Sequence, residues 1–179
     1  MVTSGPMLPV KALREHAAAM SQEQFKAEFG PVALVQSPPE PLLQRLAMSM
    51  AGSRTVGMAH RSRLADRLLM MLRGFEQLAV SFLKPDGDGA AFTVGRAEGC
   101  AVRVHDPSVS KHHATLRWSE ARGGCVLQDA GSTNGTFVGT AALGEQEHAL
   151  ADGEAVGFGD VQFLYVATDT LYAQLRAGG

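Results

Sequence analysis

The chain has 179 residues, 45% of them hydrophobic and 19% charged, which describes a globular protein with room for one ordinary domain and an appendage, or for two small domains. Sixteen Lys+Arg stand against 18 Asp+Glu for a formal net charge of −2, so charge gives no reason to expect nucleic acid as a partner, and any anion-binding site must be local. No apolar run approaches the roughly 18–20 residues needed to cross a bilayer. The first twenty residues lack the order of a signal peptide, and two cysteines, Cys100 and Cys125, make no disulfide framework, so a cytoplasmic protein with two reduced thiols is expected.

In chain order, residues 10–29 are good helix formers, with Ser21 and Gln24 spaced as a capping box that opens a second short helix and Gly30-Pro31 as its stop. "PVALV" (31–35) is a strand or a buried extended piece. "QSPPEP" (36–41) fits neither a helix nor a central strand and reads as a stiff turn. "LLQRLAMSMAG" (42–52) reads as a helix. Over 63–78, Leu64, Leu68, Met71, Leu72, Phe75 and Leu78 recur at steps of three and four, the apolar stripe of an amphipathic helix. That stripe either packs on the rest of the molecule or, being Met-rich, offers an adaptable partner surface.

After Phe82 the period changes. "AFTVGR", "CAVRVHD", "HATLRW", "GCVLQDA", "GTFVG", "EAVGFG" and "VQFLYVA" are short β-prone pieces about ten residues apart, separated by Gly, Asp, Pro and Ser. They predict an antiparallel sandwich or barrel, with the turn "LKPDGDGAA" (83–91) joining its first two strands.

The chemically conspicuous stretch is "DPSVSKHHATLRW" (106–118), which admits three readings. Ser110 near His113 suggests a nucleophile and base, but neither an orienting acid nor a nucleophile elbow accompanies them. Cys100, His105, His112 and His113 suggest a metal, but their spacing matches no structural zinc site, and adjacent histidines on extended backbone point to opposite faces. Neither catalysis nor a metal is therefore expected, and no cofactor is implied. The third reading is phosphate. Arg96 follows a strand and carries a planar fork suited to a phosphate, with the Ser110 hydroxyl and the mobile Lys111 charge in the next loop. The loop "DAGSTNGT" (129–136) adds Ser132, Thr133 and Asn134, whose amides and hydroxyls suit a peptide. On chemistry alone, an anion-plus-peptide site and three ordinary polar turns are equally open.

The order of four motifs resembles one family. "VGR" (94–96), "DPSVSKHHA" (106–114), "DAGSTNGTFV" (129–138) and "LADGEAVGFG" (150–159) follow the sequence and spacing of the forkhead-associated (FHA) domain over about residues 77–167. The resemblance implies an FHA-like β-sandwich of about eleven strands that binds phosphothreonine peptides through its loops and has no catalytic activity of its own. By position it implies that Arg96, Ser110 and Lys111 meet the phosphate and that Thr133 and Asn134 meet the peptide. Gly95, His113, Gly135 and Thr136 would support the site, and His112 inherits no role. Cys100-Ala101 and Gly139-Thr140 depart from the family pattern at turn positions, not at phosphate contacts.

The expected organisation is thus an α+β chain. A mainly helical region of unassigned role (1–76) precedes an FHA-like phosphopeptide-binding domain (77–167) and a C-terminal tail (168–179). The expected function is a phosphothreonine-dependent adaptor in Ser/Thr kinase-linked signalling, binding no nucleic acid and inserting in no membrane. The competing function is a phosphorylation-independent scaffold that engages a partner through the N-terminal helices. Thr55, with basic and small neighbours, is a candidate for phosphorylation and self-recognition.

Overall fold

A computed structural model describes residues 4–38 and 60–177. The expected helix over 42–52 and Thr55 lie outside the described residues. The N-terminal part contributes strand β1 (Ser4–Pro9), helices α1 (Val10–Ala19) and α2 (Gln22–Phe29), strand β2 (Val32–Gln36) and helix α3 (His60–Gly74). Ten strands follow: β3 (Ala79–Leu83), β4 (Ala91–Gly95), β5 (Val102–Arg103), β6 (Ala114–Ser119), β7 (Gly124–Asp129), β8 (Thr136–Val138), β9 (Ala141–Ala142), β10 (Glu147–Ala149), β11 (Ala155–Phe158) and β12 (Val161–Ala167). Residues 168–177, read from sequence only as a tail, form helix α4 (Thr168–Ala177).

The strands make a seven-stranded sheet, ordered β1-β3-β2-β12-β11-β8-β9, and a five-stranded sheet, ordered β10-β7-β6-β4-β5. Their pairings are antiparallel except that of β4 with β5. The sandwich expected after residue 77 is present, but two strands of its larger sheet come from the N-terminal part. β2 lies between β3 and β12, pairing Leu34 with Ser81 on one side and with Tyr165 on the other.

The reason lies in the residues of the central strands. Successive side chains of a strand point to opposite faces, and β2 is buried on both. Val32 and Leu34 enter the core between the two sheets, where they meet Phe92, Leu116, Leu127, Phe158, Phe163 and Tyr165. Ala33 and Val35 enter a second core beneath the helices, with Leu13, Phe25, Phe29, Leu72, Leu164 and Val166. The molecule therefore has three layers: helices, seven-stranded sheet, five-stranded sheet.

The helical layer is built from local signals. The capping box of α2 is formed, with Gln24 N donating to Ser21 Oγ at 3.3 Å and Ser21 N to Gln24 Oε1 at 3.0 Å. Gly30 ends α2 at φ +101°, and a Cβ there would stand 2.4 Å from the Leu83 carbonyl oxygen, so the turn needs glycine. α4 is tied back to this turn by Thr168, whose Oγ1 donates to Gly30 O at 2.7 Å. The described part of the stripe on α3 faces inward. Leu68, Met71 and Leu72 are fully buried and Phe75 packs at the edge of the second core. Leu68, Met71 and Leu72 are therefore spent inside the fold and do not offer the adaptable partner surface that a Met-rich stripe could provide.

Candidate functional site

Four connections converge around Ser108–Lys111: the loop after β4 beginning at Arg96, the β5–β6 loop, the β7–β8 loop and the β11–β12 turn. Two adjacent backbone bonds fix the first two, Arg96 N to Ser110 O at 2.9 Å and Ala97 N to Lys111 O at 3.1 Å. They approach closely because residue 95 is glycine. A Cβ on Gly95 would lie 2.3 Å from the Lys111 carbonyl oxygen, well inside any real contact.

His113 sits behind these loops, fully buried at the start of β6. Its Nδ1 accepts from the Ser110 backbone N–H at 3.0 Å. Because that amide can only donate, Nε2 must carry the proton, and it donates to Gly135 O at 2.9 Å. One ring thus ties the β5–β6 loop to the β7–β8 loop. The same geometry bears on the nucleophile reading: His113 meets the backbone of Ser110, not its hydroxyl. Among the described residues no group of three or more His, Cys, Asp or Glu is placed to hold a metal ion.

Asp129, which the sequence reading did not select, organises the third loop. Its Oδ2 accepts from the backbone N–H groups of Gly131 and Ser132, and its Oδ1 from the hydroxyls of Ser132 and Thr136. Burial alone would raise this carboxyl, but the bonds from Ser132, Thr136 and Gly131 outweigh it and hold it below the usual aspartate value. Ser132 Oγ in turn accepts from Gly135 N at 3.0 Å, and Gly135 adopts φ +90°, which favours glycine. An Asp followed at two and three residues by Gly-Ser is the sequence signal of such a loop.

Ser108 is the second residue the sequence reading missed. Its hydroxyl donates to Asp106 Oδ1 at 2.6 Å and accepts from Asp160 N at 3.0 Å. These bonds from the Ser108 hydroxyl and backbone N–H lower the Asp106 carboxyl. The Ser108 carbonyl accepts from Asn134 Nδ2 at 2.8 Å, which fixes the direction of the Asn134 amide.

On this frame the candidate residues lie at the surface. Arg96 is exposed, and its Nε donates to Val109 O at 3.2 Å, leaving the two terminal nitrogens without a partner among the described residues. Lys111 is exposed and equally unpaired. Ser110 Oγ accepts from Thr133 N at 3.0 Å, so its own proton remains available for donation. Thr133 and Asn134 are exposed on the adjoining loop, Gly135 is half-buried, and Thr136 is buried. His112 is exposed beside Cys100, with Sγ 3.8 Å from Nδ1.

Residues 92–159 match the FHA domain family. Over 93 residues the chain is 31% identical to the FHA domain-containing protein FhaA of Mycobacterium tuberculosis, which covers 48% of this chain and 17% of that one. It is 38% identical over 76 residues to the mediator of DNA damage checkpoint protein 1 of Rattus norvegicus, covering 40% of this chain and 6% of that one. The chain thus spans less than a fifth of the length of these curated relatives. A solved structure concerned with phosphothreonine-dependent FHA domain interactions is 30% identical and covers 48% of this chain and 82% of that one, with a TM-score of 0.42.

Proposed function

We propose, from the match of residues 92–159 to the FHA domain family, that this chain is a cytoplasmic phosphothreonine-binding adaptor in Ser/Thr kinase signalling, acting by recognition without catalysis. The observation that carries the reading is the arrangement of Arg96, Ser110 and Lys111. Two exposed, unpaired cations flank a hydroxyl whose oxygen is held by the Thr133 N–H and whose proton is free. A phosphate has three acceptor oxygens and a charge of about −1.5 to −2 at neutral pH, which matches this set of donors.

In the proposed complex, the terminal nitrogens of Arg96 grip the phosphate, Ser110 Oγ donates to it, and Lys111 adds charge from the rim. Thr133 and Asn134 lie against the peptide main chain. Asn134 keeps its Oδ1 and one N–H for a ligand while its other N–H stays on Ser108 O. Gly95, His113, Gly135 and Thr136 do not touch the ligand. They hold the donors in place before it arrives, so little ordering is left to be done on binding.

The test is calorimetric titration of the full chain with a phosphothreonine peptide library and its unphosphorylated counterpart. Binding should require the phosphate, and Arg96→Ala should weaken it by about 1.5–3 kcal/mol, roughly ten- to a hundredfold. Melting temperature should hardly change, because Arg96 is exposed. Equal affinity for both peptide forms would sink the proposal.

A further inference from the structure

A groove continues from Thr133 and Asn134 between the β7–β8 loop and the turn joining β9 to β10, where Gln128, Gly131, Gly144 and Glu145 line it. Gly131 and Gly144 have positive φ, +76° and +60°, and open space where a side chain would stand, so the groove is not filled from within. Two acidic residues line it, in different states. Asp129 spends both oxygens on bonds within its own loop. Glu145 is exposed, and no cation or hydrogen-bond donor engages its carboxylate among the described residues. The nearby Glu147 is already paired with Arg117 at 2.8 Å.

The binding face is therefore electrically lopsided. Arg96 and Lys111 place unpaired positive charge beside Ser110, while Glu145 places unpaired negative charge in the groove beyond Asn134. A ligand that is anionic throughout would suit the first end and be repelled at the second. We propose that Glu145 is a specificity-determining residue that selects threonine-phosphorylated peptides carrying a lysine or arginine a few residues from the phosphothreonine. This rests on the phosphothreonine reading of the adjoining site. Gln128, exposed on the wall, offers the same cationic side chain an amide oxygen.

An extended peptide advances about 3.3 Å per residue, so only one or two positions can bring a long basic side chain to Glu145. The experiment uses the full chain and synthetic alanine-based peptides centred on phosphothreonine. A single lysine or glutamate is scanned from three residues before it to three after, with unphosphorylated controls. Exposed ion pairs are weak, so lysine should bind roughly two- to fivefold tighter than glutamate at the reporting position, with the difference shrinking at high salt. Glu145→Gln should erase that preference and Glu145→Lys should reverse it, with phosphate dependence intact in both. Phosphate-dependent binding with no lysine preference, or a preference unchanged in Glu145→Lys, overturns the inference and leaves the phosphothreonine site standing. Binding indifferent to phosphate overturns both.

Discussion

One face of the seven-stranded sheet packs on another sheet, through Val32, Leu34, Phe163 and Tyr165; the other packs on helices, through Ala33, Val35, Leu164 and Val166. The strands that serve both faces, β2 and β12, are nearly continuous apolar runs, as two-sided burial demands. The five-stranded sheet alternates instead, as in the β6 sequence Ala-Thr-Leu-Arg-Trp-Ser, because its outer face meets water. The candidate site sits where loops from both sheets meet, yet the strand that completes the larger sheet arrives from before residue 40. The candidate loops and the helical layer are thus joined through the sheet that β2 completes.

The most severe way to break this joint is to remove it. A fragment spanning residues 77–179 lacks β1, β2 and helices α1 to α3, so β3 and β12 lose their shared neighbour and Val80, Phe82, Leu164 and Val166 lose most of the helical layer that covers them. Each such side chain is worth about 1.5–3 kcal/mol when buried, and domains are stable by only about 5–15 kcal/mol. The fragment should show no cooperative thermal transition by circular dichroism. A fragment that melts as sharply as the full chain, at the same temperature, would show that the two halves are independent.

A milder pair of changes separates the two faces within one strand. Leu34→Ala opens a cavity between the sheets and should cost roughly 2–5 kcal/mol. Val35→Ala opens a smaller one under the helices and should cost less, on the order of 1–3 kcal/mol. If the layers are one cooperative unit, each variant gives a single denaturant transition at a lower midpoint with unchanged slope. Two separate transitions in Val35→Ala would mean that the helical layer melts alone.

The comparison also explains what the sequence made legible. The candidate residues Arg96, Ser110, Lys111, Thr133 and Asn134 stand in short loops between alternating strands, where turn residues and spacing mark polar loops, while their assignment to a phosphopeptide comes from the order of four motifs that resembles the FHA family. The supporting role of His113 likewise comes from the resemblance, and in the structure its ring makes two bonds that bridge loops. Asp129 and Ser108 escaped notice because their importance lies in how many donors and acceptors they bind, which spacing alone does not express. β2 was legible as an apolar run but not as a sandwich strand, since its partners lie at residues 80–83 and 161–167 and no local pattern encodes that pairing. The pairing of β1 with β3 is equally non-local, and "SGPMLP", with Gly and Pro, carries weak strand propensity. α4 went unread because its role depends on packing against α1, α2 and α3 rather than on its own composition.

The smallest expected effect concerns pH, and it again sets loop against helical layer. The Asp129 carboxyl is lowered by its four bonds despite burial, and Asp169 on α4 is lowered chiefly by its hydrogen bond from Lys26 and then by one from Gln22 on α2. A carboxyl with a depressed folded-state pKa lends its full stabilisation above the unfolded value of about 3.9. As pH falls below that value the unfolded chain takes up the proton first, and stability declines until the folded carboxyl is protonated too. Between pH 7 and 5 neither residue should make stability change. Below about pH 4 the wild type should lose stability more steeply than Asp129→Asn or Asp169→Asn, as measured by urea denaturation at a series of pH values. Both carboxylates are largely solvent-screened, so each difference should be a fraction of the formal shift. The Asp129 substitution should in addition weaken phosphopeptide binding at neutral pH, because its bonds hold the loop of Thr133 and Asn134, whereas Asp169→Asn should leave binding unchanged. Equal binding losses in the two variants would mean that the loops sense the helical layer directly, through β12 and the strand order that joins them.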